Sequence, residues 1–415
     1  MNFSKLKLQD VGKIVTGKTP SSKKPEYFGN SYPFITPSDL EFDNRYPYIE
    51  RFLSEEGYID QKNNLLPTDS ICFTCIGATI GKMCLTNGLS FTNQQINSVI
   101  VNNQNHDYRY IYYLLKTKIN YIKILAGGAA TPIVNKSTFS NIQLDIPNKY
   151  IQKIITSILS TYDNLIENNT RRIQILEEMA QRIYKEWFVD FKYPGHENDK
   201  SVDSELGMIP EGWAVIEISE KFKTVLGGTP SRKNENYWIN GTVPWINSSM
   251  VNELRVIDHS ELITEEALKK SSTKLMPIRT TVLAITGATL GQVSLLEEEV
   301  CANQSVVGVY DENKTFNEFI YLTLTHIIKR IINRAGGGAQ QHINKEIVNS
   351  VKIFCPMHNV VGSFNKIIIP IFDEIKNMLL KNQNLRQTRD LLLPKLISGK
   401  IDVSDLDIDT GILND

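Results

Sequence analysis

Gly17-Lys18-Thr19-Pro20-Ser21 returns about 210 residues later as Gly227-Gly228-Thr229-Pro230-Ser231. The chain around these two stretches falls into matched copies. Tyr27-Phe28 returns as Tyr237-Trp238, and Pro33-Phe34-Ile35 as Pro244-Trp245-Ile246. Gly77-Ala78-Thr79-Ile80-Gly81 returns as Gly287-Ala288-Thr289-Leu290-Gly291. Asn93-Gln94, Gly127-Gly128 and Asn135-Lys136 return as Asn303-Gln304, Gly336-Gly337 and Asn344-Lys345. The order never changes and the offset drifts by only a residue or so. One globular unit has been duplicated, and that settles the fold before any single element is assigned.

Within each copy the pattern is the same. Short apolar runs bounded by Gly-containing turns, 70–74 and 281–285, predict strands and hairpins. Apolar residues at helical spacing predict a helix over 108–125 in copy one and 317–334 in copy two. Gly127 and Gly336 stop these helices, since glycine takes the left-handed conformation common at helix C-termini. A last strand ends at Pro147 or Pro356. Each copy therefore reads as a mixed domain with much antiparallel sheet.

After each copy comes a long periodic stretch. From 151 to about 188, apolar residues recur at the three-and-four step of a coiled-coil seam. The polar run Asn168-Asn169-Thr170-Arg171-Arg172 predicts a stutter in that seam. The second stretch starts at Val361, carries Pro370, which predicts a kink or a fresh start, and is expected to end at Leu393-Pro394. Roughly 36 residues at about 1.5 Å each span about 54 Å, more than a small domain needs. The expected fold is α+β: two globular mixed α/β domains separated by two long antiparallel coiled-coil helices, in a pseudo-twofold tandem repeat. The expected boundaries are 1–150 for the first domain, 151–192 for the central helix, 193–208 for a linker, 209–356 for the second domain, 357–400 for the C-terminal helix and 401–415 for an acidic tail.

Bulk properties exclude several classes. Apolar content of 41% and charged content of 22% are ordinary for a globular protein. The start, MNFSKLKLQD, has no apolar core of a secretory signal, and no apolar run is long enough to cross a bilayer. Five scattered cysteines, with Cys72 and Cys75 the one close pair, predict buried core thiols in a reducing cytoplasm rather than a zinc site. The net charge of −1 neither favours nor excludes a nucleic-acid partner, because positive charge can be gathered on one face. Residues 1–150 carry 16 Lys and Arg against 12 Asp and Glu, while the last 15 residues are acidic.

The stretch 12–19 matches the phosphate-loop pattern G-x-x-x-x-G-K-[ST] letter for letter. That loop must open a helix, and Pro20 to Pro25 has no helical pattern. In copy two Phe222 and Gly228 replace the first Gly and the Lys. What is duplicated is a turn. The same turn is the better candidate for nucleic acid. Lys18, Thr19, Ser21, Ser22, Lys23 and Lys24, with Thr229, Ser231, Arg232 and Lys233, are groups that bond phosphate oxygens and base edges. Thr79 and Thr289 on the Gly-rich hairpins are added candidates. Asn93-Gln94 and Asn303-Gln304 are read as structural, since groups reading different bases should differ between copies. On the long helices, Leu165, Ile166, Ile173, Leu176, Ile375, Leu379, Leu385 and Arg389 are expected to meet partners. The chain shows no methyltransferase, nuclease or metalloprotease motif, so no catalytic residue and no metal site are assigned.

This layout resembles the specificity subunit of Type I restriction–modification systems over essentially the whole chain. The resemblance rests on Gly17-Lys18-Thr19-Pro20 and its copy, on Ile209-Pro210-Glu211-Gly212-Trp213 entering the second domain, and on the run 384–399. The first helix departs from it, with Ile175-Leu176-Glu177-Glu178 where the second has Asn384-Leu385-Arg386-Gln387. The resemblance implies a non-catalytic reader of double-stranded DNA, each target-recognition domain taking one half of a split asymmetric target. The helices would dock two methyltransferase subunits, with restriction subunits joining where present. S-adenosylmethionine, ATP and Mg2+ would belong to those partners. A coiled-coil adaptor with duplicated protein-binding domains is the alternative.

Overall fold

The computed structural model describes residues 1–127, 131–334 and 343–406. Gly128, Gly336, Gly337 and the acidic Asp407, Asp409 and Asp415 lie outside the described residues. The chain forms two compact units, Met1–Ile166 with Leu385–Asp415, and Glu167–Asn384. Each combines one globular domain with a stretch of both long helices.

In the first unit a four-stranded sheet has the order Gly12–Thr16, Ile96–Val101, Ile71–Thr74, Met83–Leu85, all antiparallel. Ile71-Cys72-Phe73-Thr74 is fully buried, which is why this strand reads as an unbroken apolar run rather than an alternation. A second sheet joins Tyr32–Ile35 to Phe91–Thr92 in parallel. Phe3–Lys7 pairs antiparallel with Gln143–Pro147 and ties the first strand to the last. Tyr110, Ile111, Leu114 and Leu115 of the helix Tyr108–Thr117 fill the core with Ile154, Ile155 and Leu159 of the first long helix and Leu393 and Leu396 of the second.

The second unit repeats this plan. Lys223–Leu226, Val306–Tyr310, Thr281–Ala284 and Val293–Leu296 form the matching sheet, and Arg255–Val256 adds a fifth strand in parallel. Trp245 and Ile246 pair in parallel with Cys301 and Ala302, as Phe34 and Ile35 do with Phe91 and Thr92. Its core joins Phe319, Ile320 and Leu322 to Ile173, Phe364, Ile368, Phe372 and Ile375 of the long helices.

The long helices are Lys149–Tyr184 and His358–Ile397. Within the second unit Asn169 meets Asn382 and Arg172 meets Glu374, so the stretches run antiparallel. Five expectations need correction. The polar run at 168–172 is no stutter: Leu159, Ile166, Ile173, Ala180 and Trp187 keep a seven-residue step and are all buried. Asn169 instead forms a polar layer with Asn382, whose amide also reaches Thr170. A satisfied buried asparagine fixes helix register at some cost in stability. Pro370 does not break the second helix, and Pro394 does not end it. Ile368, Phe372 and Ile375 are fully buried beside Pro370. Each such burial stabilises by about 1.5–3 kcal/mol, which together offsets the roughly 3 kcal/mol cost of an interior proline. The copy-one helix expected over 108–125 is two helices, Tyr108–Thr117 and Ile119–Leu125, that meet at Lys118. The stretch read as a linker carries structure: Ser201–Val202 pairs with Ile209–Pro210, and Tyr193 stacks on Trp213.

Candidate nucleic-acid interface

The duplicated turn is wired identically in both units. Lys18 N–H donates to Thr92 O at 2.9 Å, and Gly228 N–H to Ala302 O at 2.7 Å. The Thr19 hydroxyl donates to Gln94 Oε1 at 2.6 Å, as does Thr229 to Gln304. Asn93 Oδ1 accepts from Gln95 N–H, and Asn303 Oδ1 from Ser305 N–H. These bonds explain why Thr, Asn and Gln recur: they build the turn. Gly17 and Gly227 recur because a Cβ would lie 2.3 Å from Asn93 O in one unit and 2.1 Å from Asn303 O in the other. Asn135 and Asn344 recur as N-caps of the short helices Lys136–Ser140 and Lys345–Asn349.

Beyond the shared frame the two turns diverge. Lys18, Ser21, Ser22, Lys23 and Lys24 are exposed, as are Ser231, Arg232 and Lys233. The ammonium groups of Lys18, Lys23 and Lys233 form no hydrogen bond or ion pair among the described residues. Lys24 Nζ donates to the Tyr27 hydroxyl at 2.8 Å, which raises the lysine's pKa. Arg232 is held differently. Its Nη1 and Nη2 donate to the two oxygens of Glu261, each at 2.6 Å, and its guanidinium lies 3.5 Å from the Trp238 ring centre. The hydrogen bond raises Arg232's pKa and lowers Glu261's, so both stay charged at neutral pH. Thr79 and Thr289 are half-buried, and their hydroxyls donate to Ile76 O at 2.7 Å and Thr286 O at 3.3 Å.

The phosphate-loop pattern has no phosphate cradle. Gly12–Thr16 is a strand, and the first helix after the turn is the three-residue Pro25–Tyr27. Among the described residues no group of three His, Cys, Asp or Glu could hold a metal. Cys72, Cys75, Cys84 and Cys301 are free and buried. No described helix is long and apolar enough to cross a membrane.

The helix residues expected to meet partners divide by burial. Ile166, Ile173, Ile375 and Arg389 are buried and brace the chain's own helices, so they present no outward surface. Leu165 is exposed, and Leu176, Leu379 and Leu385 are half-buried. Ile175, Ile367, Ile369, Leu380 and Leu391 are outward apolar residues that periodicity did not single out, and Met179, which it did, is exposed as well.

The sequence reading also missed two buried charge clusters. In the first unit Arg389 Nη1 donates to Asp163 Oδ1 at 2.6 Å and Nη2 to Asp43 Oδ1 at 2.9 Å. The Tyr113 hydroxyl donates to the other Asp163 oxygen. In the second, Arg255 donates to Glu177 Oε2 at 2.9 Å and to the Tyr321 hydroxyl at 2.7 Å, and Tyr321 donates to Glu177 Oε1 at 2.9 Å. Burial alone would lower Arg255's pKa, but Tyr321, Glu177 and Glu297 outweigh it and raise it. One signal was available: Arg45 and Arg255 lie one repeat apart.

Two tandem copies of a mixed domain, each set on long antiparallel helices and each presenting the same turn with different side chains, define a duplicated recognition scaffold. The family model described as Type I restriction modification DNA specificity domain matches residues 2–178 and 210–388. The chain belongs to this family, and it is a Type I restriction enzyme specificity subunit with two tandem specificity domains. The MjaIX specificity subunit of Methanocaldococcus jannaschii is 29% identical over 411 residues, covering 96% of this chain and 94% of the relative. The HindI specificity subunit of Haemophilus influenzae is 24% identical over 356 residues, covering 71% and 77%. The solved structure of the S subunit from M. genitalium has the same fold, with a TM-score of 0.60 at 16% identity over 95% of this chain and 96% of the other. These matches favour the specificity-subunit reading over a coiled-coil adaptor.

Proposed function

We propose that this chain is the non-catalytic DNA reader of its complex, each domain reading one half of a split, asymmetric duplex target. The observation that carries the reading is the duplicated turn. Its frame is the same in both copies, while Ser22 and Lys24 give way to Arg232 and Asn234 around a lysine kept at 23 and 233. A constant frame with variable exposed donors suits a reader whose two halves meet different bases. Lys18, Lys23, Lys24 and Lys233 are the phosphate contacts, with Ser21, Ser22, Ser231 and Arg232 beside them. Thr19, Thr229, Thr79 and Thr289 hold the turns in shape through the hydroxyl bonds described above.

Leu165 and Leu391 in the first unit, and separately Ile175, Met179, Ile367 and Leu380 in the second, are the docking residues for two methyltransferase subunits, with restriction subunits joining where present. S-adenosylmethionine, ATP and Mg2+ are supplied by those cytoplasmic partners. The Gly12–Thr19 stretch opens no helix to receive a phosphate, and no described group of three His, Cys, Asp or Glu has metal-ligand form.

The test is exchange of residues 200–355 for the equivalent domain of a relative, followed by methylome sequencing. One half of the methylated motif should change and the other should persist. Change in both halves would overturn the reading.

A further inference from the structure

Arg45 and Arg255 occupy equivalent places in the two copies. Leu85 N–H donates to Arg45 O at 2.8 Å, and Leu295, one repeat on from Leu85, is the ladder partner of Arg255. The flanking residues differ, Asn44 and Tyr46 against Leu254 and Val256. Both arginines are nonetheless buried, at 5% and 2% exposure. Arginine is among the residue types least often buried without a partner, so two at matching positions require an explanation.

Each guanidinium reaches out of its domain onto the first long helix. Arg45 Nη2 donates to Asn164 Oδ1 at 2.8 Å, and its Nε lies 3.8 Å from Asp163. Arg255 Nη2 donates to Glu177, and its guanidinium sits between the rings of Tyr321 and Phe372, 4.4 and 4.5 Å from their centres. In each unit a tyrosine of the domain's own helix donates to the same carboxylate, Tyr113 to Asp163 and Tyr321 to Glu177. The second long helix closes each cluster, with Arg389 in the first unit and Phe372 and Lys376 in the second. Lys376 donates to Glu297 O at 3.0 Å. A planar fork held on two sides resists both sliding and rotation, which an apolar contact alone does not.

We propose that Arg45 and Arg255 are positioning residues that fix the seat of each recognition domain on its stretch of the long helices, and so set how strictly the complex demands one gap between half-sites. The bonds of both clusters described above run to the long helices and the domains' own helices and not to the duplicated turn, so the arginines act on gap and not on base identity. The inference rests on the two-half-site reading above.

The test uses the full chain assembled with its methyltransferase partners, on duplexes carrying the native gap or a gap one base pair shorter or longer. Arg255→Met leaves Glu177 buried and unpaired and can fail to fold, so the double variant Arg255→Met/Glu177→Gln, which removes both charges, is measured beside it. Methylation of the altered gaps relative to the native gap should rise about tenfold, equivalent to about 1.4 kcal/mol. Arg255→Lys should give a smaller rise, because it keeps the charge and loses the fork. Affinity for a duplex carrying only the second half-site should stay within about twofold. An unchanged gap preference in a folded complex would reduce the arginine to a stability element. Loss of half-site affinity would make it part of the reader, and either result overturns the proposal. Wild-type protein that binds no duplex, or ignores the gap, would instead remove the two-half-site reading and the seat with it.

Discussion

Replacing Asp163 by alanine should cost the first unit more than any surface charge in the chain. Asp163 is 6% exposed at its side chain and faces Arg389 at 2% and Arg45 at 6%. The carboxylate accepts from Arg389 Nη1 at 2.6 Å and from Tyr113, and lies 3.8 Å from Arg45 Nε. Alanine removes all three interactions at once, leaving Arg45 with Asn164 and Arg389 with Asp43 and Asp390. Breaking one partner of a buried pair typically costs about 3–5 kcal/mol. Arg389 keeps Asp43 and Asp390, both at 2.9 Å, which places the expected cost near the lower end, about 3 kcal/mol. For a unit of roughly 200 residues each kcal/mol moves Tm by about 2–4 °C, so the shift should be about 6–12 °C. Calorimetry gives the shift. Hydrogen exchange of the 108–117 helix, which carries Tyr113, assigns it to the first unit. Asp163→Asn keeps an acceptor for Arg389 and should lose about half as much. A fall below about 1 kcal/mol for alanine would mean the cluster is hydrated and behaves as an ordinary surface pair.

Five further outcomes are expected. Double substitution of Lys23 and Lys24 by alanine should flatten the salt dependence of DNA binding by about one unit for each lysine that pairs with a phosphate, and an unchanged slope would return that loop to bulk solvent. Glu261→Ala should free Arg232 for phosphate and tighten non-specific binding at low salt; weaker binding would show that Glu261 holds Arg232 in its reading pose. Gly17→Ala should destabilise by about 1–3 kcal/mol in chemical denaturation, because the new Cβ meets Thr92 and Asn93 backbone oxygens. Burial pushes the Cys75 and Cys301 thiols up to about 11, opposed at Cys75 by a hydrogen bond from Asn97. Their raised folded-state values make this contribution full below about pH 9 and lost as pH rises to about 11, so stability should fall across that window. At pH 8 a thiol reagent should reach Cys355 alone, and reaction at a second cysteine before unfolding would contradict the burial.

Local periodicity and internal repetition were enough to read the architecture, because both are written along the chain. A seven-residue step survives from Leu159 to Trp187 even across five polar residues, and the helix Asn317–Arg334 has the limits its spacing predicts. Asn135 and Asn344 could be seen to matter as a repeated pair before their capping role was visible. Features decided by distant partners were not legible. Pro370 reads as a breaker from its neighbours alone, and only the buried faces of Ile368 and Phe372 show why the helix passes through it. Lys18, Lys24 and Arg232 have the same character in sequence, an exposed cation beside small hydroxyls. Glu261, 29 residues on, makes Arg232 a clamped group, and Tyr27 tethers Lys24. The Glu177–Arg255 bond spans 78 residues, and the bond from Arg389 to Asp43 spans 346. No window of sequence contains either pair. The repeat offered the one route to them: two arginines at one offset, in stretches that otherwise share little, are a reason to ask what each faces. Duplication thus separates frame from message in this chain. Residues kept in both copies hold the turns, caps and seats, while those that differ, from Ser22 against Arg232 to Lys24 against Asn234, are where the specificity of each half should be sought.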